Sequence, residues 1–330
     1  MPAFVRSLPE QLVDALEKLA EENGANWWKE ILHDPNLHLA IREDYLSVYA
    51  RGQSVFKIWL GKEMNGAVRR PLMSTHYKYL LIPEMPRDEQ YATFDGTNFR
   101  TKGQPIKPCS LIQTYYIAGE TVPQLVKSAV SHSNPEKRGV HDIAKNNPNV
   151  IDMEIAFSKE RDPEPEDPTR LNEDEDDNHR KLKSTAPRMD LAALHKDGSD
   201  KARLVFYEVK RFDDGRLWGK EPPVLDQMKK YDKFLSDEEE TIKTAYQRVC
   251  KALFRLLRLR RQMETCPLIR DVANDLRRLE IDKTSRLVVI GFDRDQKKGR
   301  LKELESMLTE RGLADRLLRK GSPKQFELRR

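Results

Sequence analysis

The sequence has no apolar run of the roughly 18 to 20 residues that a helix needs to cross a bilayer, so no membrane-spanning helix and no membrane partner are expected. Its start, MPAFVRSLPEQLVDALEKLAEENG, carries a charge every few residues and lacks the uninterrupted apolar core of a signal peptide. An intracellular, cytoplasmic location is expected. Cysteine is scarce: Cys109, Cys250 and Cys266 are too few and too scattered for a disulfide framework or a thiolate zinc site. No internal repeat is visible.

What the chain does have is length and charge. Its 330 residues suffice for one large domain or two modest ones, and 38% hydrophobic with 34% charged residues suits a globular protein. The net charge of +5 hides an asymmetry, with an acidic run in the middle and basic residues on either side and toward the C-terminus. That distribution is compatible with a polyanionic partner.

Leu12, Leu16 and Leu19 recur at helical spacing in a segment that ends at Asn23-Gly24. Residues 37–60 follow as short runs rich in Val, Ile, Tyr and Phe, with polar turns near 42–44 and 51–53, and read as an antiparallel meander. HYKYLLI, 76–82, is expected to add a strand, CSLIQTYYIAG another, and VPQLVKSAVSH a short helix. VIDMEIAFS, 150–158, alternates, which places Ile151, Met153, Ile155 and Phe157 on one face. The acidic, proline-bearing stretch 159–181 has nothing to bury and is expected to be a mobile loop.

RMDLAALH, 188–195, and ARLVFYEVKRF, 202–212, read as antiparallel strands joined through the turn KDGSD. From Val224 the period becomes helical, with a break near Ser236. A strand at 286–293 and a helix ending at Gly312 complete the order. The sum is a mixed sheet covered by helices.

One feature of this pattern calls for a chemical reason. LVFYEVKRF is an apolar strand that ends in Glu208 and Lys210, two positions apart and so on one side. Antiparallel pairing brings Asp190 beside them. Two converging carboxylates repel each other unless a cation relieves the repulsion, and hard oxygen ligands suit Mg²⁺ or Mn²⁺. A nearby lysine can stabilise developing charge, which makes the set suitable for phosphodiester hydrolysis. On spacing alone, a same-face ion pair at a strand end is the better account of Glu208 and Lys210, and it is the apolar strand, the partner Asp and the following helix that favour the site.

APRMDLAAL, then FYEVK, then DQMKKYDKFL resembles the PD-(D/E)xK nuclease superfamily, and more narrowly its RecB-like and Cas4-like branch, over roughly residues 130–295. The resemblance implies an α/β fold: a restriction-endonuclease-like core with a central mixed β-sheet flanked by helices, here in 111–330. An accessory or recognition region, 1–110, would hold the α/β N-terminal part with its meander. It assigns Asp190, Glu208 and the Val209 carbonyl to the metal, Lys210 to the nucleophile, and Gln227 and Tyr231, four apart on one helical face, to the site or the DNA backbone. A further acid from a preceding helix is expected, with Glu136 the choice over Glu120, Glu154, His132 and His141. Arg-Met-Asp stands where the branch has glycine, a hydrophobic residue and Asp, and the acidic insertion is long. Both departures touch the branch more than the superfamily.

The implied activity is Mg²⁺-dependent cleavage of DNA, or of RNA, in genome defence or DNA repair, with a homodimer or an activating protein as partner. Arg211, Arg216, Trp218 and Lys220 are the candidate nucleic-acid contacts, cations for phosphates and indole for a base. A loop anchored by one buried tryptophan is the other reading of Trp218. The arginines of 255–261 read as a solvated helix face. The alternative function is a non-catalytic DNA-binding or scaffolding protein on the same fold.

Overall fold

The computed structural model describes residues 4–61, 70–80, 91–101, 104–105, 115–157, 188–198, 200–260 and 265–328. The acidic stretch 159–181, Cys109 and most of CSLIQTYYIAG lie outside them.

Helices α1 (Glu10–Glu21) and α2 (Trp27–His33) precede a sheet of seven strands in sequential antiparallel order. These are β1 (His38–Ile41), β2 (Tyr45–Ala50), β3 (Gln53–Leu60), β4 (Pro71–His76), β5 (Tyr91–Phe94), β6 (Phe99–Thr101) and β7 (Gln104–Pro105). The meander read from 37–60 is therefore the first half of a larger sheet. The strand expected at 76–82 is corrected: β4 ends at His76, and Tyr77–Leu80 wind into a 3₁₀ turn. There the His76 imidazole accepts the Lys78 amide at 3.1 Å, a local bond that competes with a ladder.

Helices α3 (Thr121–Ser131) and α4 (Pro135–Asn146) lead into the second sheet. Asn134 caps α4 by accepting the Lys137 amide at 2.8 Å, with Pro135 at the first helical position. Strands β8 (Val150–Ala156), β9 (Arg188–Asp197) and β10 (Lys201–Arg211) pair antiparallel. The chain then forms α5 (Pro223–Asp237), α6 (Glu239–Leu257), α7 (Pro267–Asn274), β11 (Leu279–Ile281), β12 (Arg286–Ile290), α8 (Arg294–Lys298), α9 (Arg300–Glu310) and β13 (Leu317–Arg319). The strand order is β13-β12-β10-β9-β8, with β11 and β12 both parallel to β10. The sheet is mixed, as expected.

Apolar patterning decides which helix covers which face. Val140 and Ile143 of α4 pack with Leu191, Val205, Tyr207 and Val209 on one side. Tyr231, Tyr246 and Leu253 pack with Ala192, Leu204 and Phe206 on the other. That second cluster runs on without a break into Leu12, Trp28, Val48 and Phe56, so the two sheets share a core.

The alternation read in VIDMEIAFS is corrected. Met153 packs with Leu191 on the α4 side, whereas Ile151, Ile155 and Phe157 pack on the opposite side. The ladder slips between Val150 and Asp152, and Glu154 has φ +53°, so the strand turns over inside its own length.

A buried charge network holds that kink to the first sheet. Arg42 donates to Asp152 Oδ1 at 2.6 Å and to the Met153 carbonyl at 2.6 Å, while Tyr246 donates to Asp152 Oδ2 at 3.1 Å. The arginines of α6 divide. Arg255 pairs with Asp14 of α1 at 2.6 Å and with Glu10 and Glu17, which ties two helices together. Arg260, half-buried, donates to the Leu37 carbonyl at 3.0 Å, so the solvated-face reading is corrected for both. No helix among the described residues is long and apolar enough to cross a membrane.

Candidate active site

The site begins where two strands part. β9 and β10 pair from Asp197↔Lys201 to Leu191↔Tyr207. Beyond that point β10 continues along β12, from Tyr207↔Arg286 to Arg211↔Ile290. The Asp190 carboxylate closes the fork: its Oδ2 accepts the Val209 amide at 2.7 Å, where a ladder would use a backbone carbonyl. Its other oxygen has no hydrogen bond among the described residues.

Glu208 and Lys210, almost fully buried, project from β10 toward α5. Lys210 donates to Glu208 Oε1 directly and lies 3.5 Å from Glu136 Oε1 in the first turn of α4. Gln227 donates to Glu208 Oε1 at 2.9 Å, and the Tyr231 hydroxyl to Glu208 Oε2 at 3.0 Å. Gln227 also donates to that hydroxyl, whose one proton is shared between Glu208 and the Arg188 carbonyl. Glu136, Asp190, Glu208, Lys210, Gln227 and Tyr231 thus meet at one fork, although they come from α4, β9, β10 and α5.

The position of Glu136 depends on the first sheet. Arg51 and Gly52, with φ +50° and +78°, make the β2–β3 turn, and a Cβ on Gly52 would come 2.5 Å from the Lys137 carbonyl oxygen. Only glycine lets that turn lie against α4. Arg51 also pairs with Asp142 of α4 at 2.7 Å.

Burial and mutual repulsion work against the charge of the two carboxylates at the fork. Burial, then the charge of Glu208, pushes the Asp190 carboxyl well above the usual carboxylate range. Burial also raises Glu208, against the pull of Lys210. Burial works against the charge on Lys210, but Glu208 and Asp190 outweigh it and hold the ammonium above its ordinary value.

Among the described residues no group of three or more His, Cys, Asp and Glu side chains is arranged to hold a metal ion. The pair nevertheless fits Mg²⁺, which commonly takes one or two carboxylates and keeps several waters. Asp190 offers an unbonded oxygen, and the Val209 carbonyl stands beside Lys210 Nζ at 3.3 Å.

Of the other candidates apart from Glu154, only Arg216 reaches the fork. His141 bonds the Asn36 carbonyl at 2.9 Å, His132 packs beside Tyr79, and Glu120 precedes α3. Arg211 is paired with Asp213 at 2.8 Å, and Arg216 with Asp214 at 2.6 Å while Glu136 lies 3.7 Å away. Trp218 is anchored, its indole donating to the Phe212 carbonyl at 3.0 Å with Arg300 over its ring at 4.4 Å. Lys220 is exposed, and its carbonyl accepts Arg311 at 3.2 Å.

On sequence, Glu154 ranks among the competitors of Glu136, with Glu136 preferred. Pairs Met153↔Leu191 and Ile155↔Met189 leave Glu154 opposite Asp190, whose carboxyl it helps to raise. The alternation read in VIDMEIAFS sets Glu154 on the face away from Met153 and Ile155, and no residue type in that stretch announces a left-handed turn. Compared with known proteins, the chain matches no protein-family model, no curated protein and no solved structure.

Proposed function

We propose that this protein is a Mg²⁺-dependent nuclease, hydrolysing phosphodiester bonds of DNA on a restriction-endonuclease-like core. The observation that carries the reading is the convergence of Asp190, Glu208 and Lys210 where β9 and β10 part, with Gln227 and Tyr231 bracing Glu208. The resemblance of the same residues to the PD-(D/E)xK pattern adds the substrate class. The succession α4, β8, β9, β10 and α5, with β12 following after α6, α7 and β11 and running parallel to β10, supports the reading.

In this reading Asp190, Glu208 and the Val209 carbonyl hold the metal. When bound, Mg²⁺ supplies polarisation of the scissile phosphate and a lowered pKa for the attacking water. Lys210, kept charged by its two acid neighbours, holds the nucleophile and stabilises negative charge on the phosphoryl oxygens. Gln227 and Tyr231 fix the Glu208 carboxylate, and Glu136 gives Lys210 a second acidic neighbour at 3.5 Å. Arg216 would meet substrate phosphate by exchanging Asp214 for it.

One observation favours a second reading, a DNA-binding protein without turnover: both oxygens of Glu208 already hold protein hydrogen bonds. Cleavage of labelled DNA and RNA with Mg²⁺, Mn²⁺ or EDTA separates the two. Metal-dependent cutting of DNA, lost in Asp190→Ala, is the expected result. Metal-independent DNA binding with no cutting of either polymer would support the second reading.

A further inference from the structure

Arg300, the first residue of α9, lies with its guanidinium carbon 4.4 Å above the centre of the Trp218 ring. The indole beneath it is fixed: Nε1 donates to the Phe212 carbonyl at 3.0 Å, and the Phe212 ring meets it edge to face at 4.9 Å. Phe212 follows β10 directly, two residues beyond Lys210, and Arg216 in the same loop stands 3.7 Å from Glu136. The stack is therefore built on the chain that leaves the fork.

A cation resting on a ring face spends none of its N–H donors. Arg300 is exposed and makes no hydrogen bond or ion pair among the described residues, whereas Arg211 and Arg216 are held by Asp213 and Asp214. Its planar set of donors is thus oriented at the surface and unspent, the form in which arginine takes phosphate oxygens in pairs.

The preceding helix adds charge at the same place. Arg294, Lys297 and Lys298 of α8 are three and four positions apart, share one face and are all exposed. None of the three has an acidic partner among the described residues. Of the acids in this stretch, Asp293 is engaged in capping α8, accepting the Gln296 amide at 2.8 Å, which leaves Asp295 and Glu303. Leu301, Leu304 and Leu308 pack α9 against Phe212 and Leu217, so the cations stand on a rigid support.

We propose that Arg300, with Arg294, Lys297 and Lys298, forms a second contact for the nucleic-acid substrate and grips its phosphodiester backbone to one side of the scissile phosphate. The proposal deepens the nuclease reading and rests on it. Trp218 serves here to aim a cation, since Arg300 already occupies its ring face. A bilayer surface fits the strip less well, because it carries no exposed large apolar side chain to enter the lipid.

Binding of fluorescein-labelled DNA, duplex and single-stranded, to the full chain in EDTA across a NaCl series tests this without turnover. Arg300→Gln is expected to raise Kd about fivefold, and both it and each lysine removed in Lys297→Ala/Lys298→Ala to flatten the dependence of log Kd on log salt by about one unit. Lys127→Ala, an exposed lysine of α3, removes an equal charge elsewhere and is expected to change Kd by less than about twofold. Effects of Arg300→Gln and of the double variant no larger than that of Lys127→Ala would overturn the proposal. So would failure of the wild type to bind either form of DNA, or binding to phosphatidylserine vesicles that these variants lose while DNA binding stays unchanged. Cleavage of the same DNA by the wild type with Mg²⁺ judges the nuclease reading separately.

Discussion

Asp190 of β9 and Val209 of β10 are joined by a single carboxylate-to-amide hydrogen bond of 2.7 Å at the point where their backbone ladder has ended. The bond lets the strands part without orphaning a buried amide, and it fixes one carboxylate beside Glu208 and Lys210. The fork and the charge cluster therefore have one cause.

Tyr231 supports that cluster from α5. In Tyr231→Phe, Glu208 Oε2 and the Arg188 carbonyl both lose their shared donor. Loss of about 1 to 2 kcal/mol in urea unfolding is expected, with a fall in kcat larger than any change in KM. Unchanged stability and unchanged kcat would remove the bracing role.

Gly52 is expected to act at a distance. Gly52→Ala must strain a φ of +78° and displace the Lys137 carbonyl, which shifts the first turn of α4 and Glu136 with it. Destabilisation beyond about 1 kcal/mol is expected, together with reduced cleavage. Gly198→Ala, with φ +68° and open space around it, supplies the control for strain alone. Equal effects of both variants on cleavage would contradict a positioning role for the β2–β3 turn.

Asp152 holds the two sheets together. Asp152→Asn leaves Arg42 buried without its carboxylate partner and is expected to cost about 3 to 5 kcal/mol in denaturant unfolding. A cost below about 1 kcal/mol would mean that Tyr246 and the backbone carbonyls suffice.

Much of this was legible in the sequence and some was not. The three strands around Asp190 and Glu208 and the helix carrying Gln227 and Tyr231 follow from periodicity, because their side chains face one core each, whereas the helix carrying Glu136 was expected only from the resemblance. The kink at Glu154 was hidden, since a left-handed residue inside an apolar strand is imposed by tertiary contacts from Arg42, 112 positions away. The small strands β11 and β13 depend on pairing with partners far along the chain rather than on their own pattern. Trp218 was ambiguous because an indole packs and stacks with the same ring.

The neutral histidine His38 sets a pH limit. Its folded value of about 3 lies below the unfolded value near 6.5, so the unfolded chain binds the extra proton. Stability is complete above about pH 6.5 and falls with acidification toward pH 3, by up to roughly 1.4 kcal/mol per unit. Urea melts from pH 7 to pH 4 on wild type and His38→Gln check this, and the variant is expected to show the shallower decline. Parallel curves would mean that His38 is not the group responsible.

The central claim rests on Lys210, and one comparison tests it: wild type against Lys210→Ala on circular and linear DNA with Mg²⁺, each protein first shown to be folded and to bind DNA. The account predicts nicking or linearisation of the circle by wild type and a loss of at least about a hundredfold in the variant. Equal cutting by both proteins, or binding by both with no cutting under any metal, would contradict it.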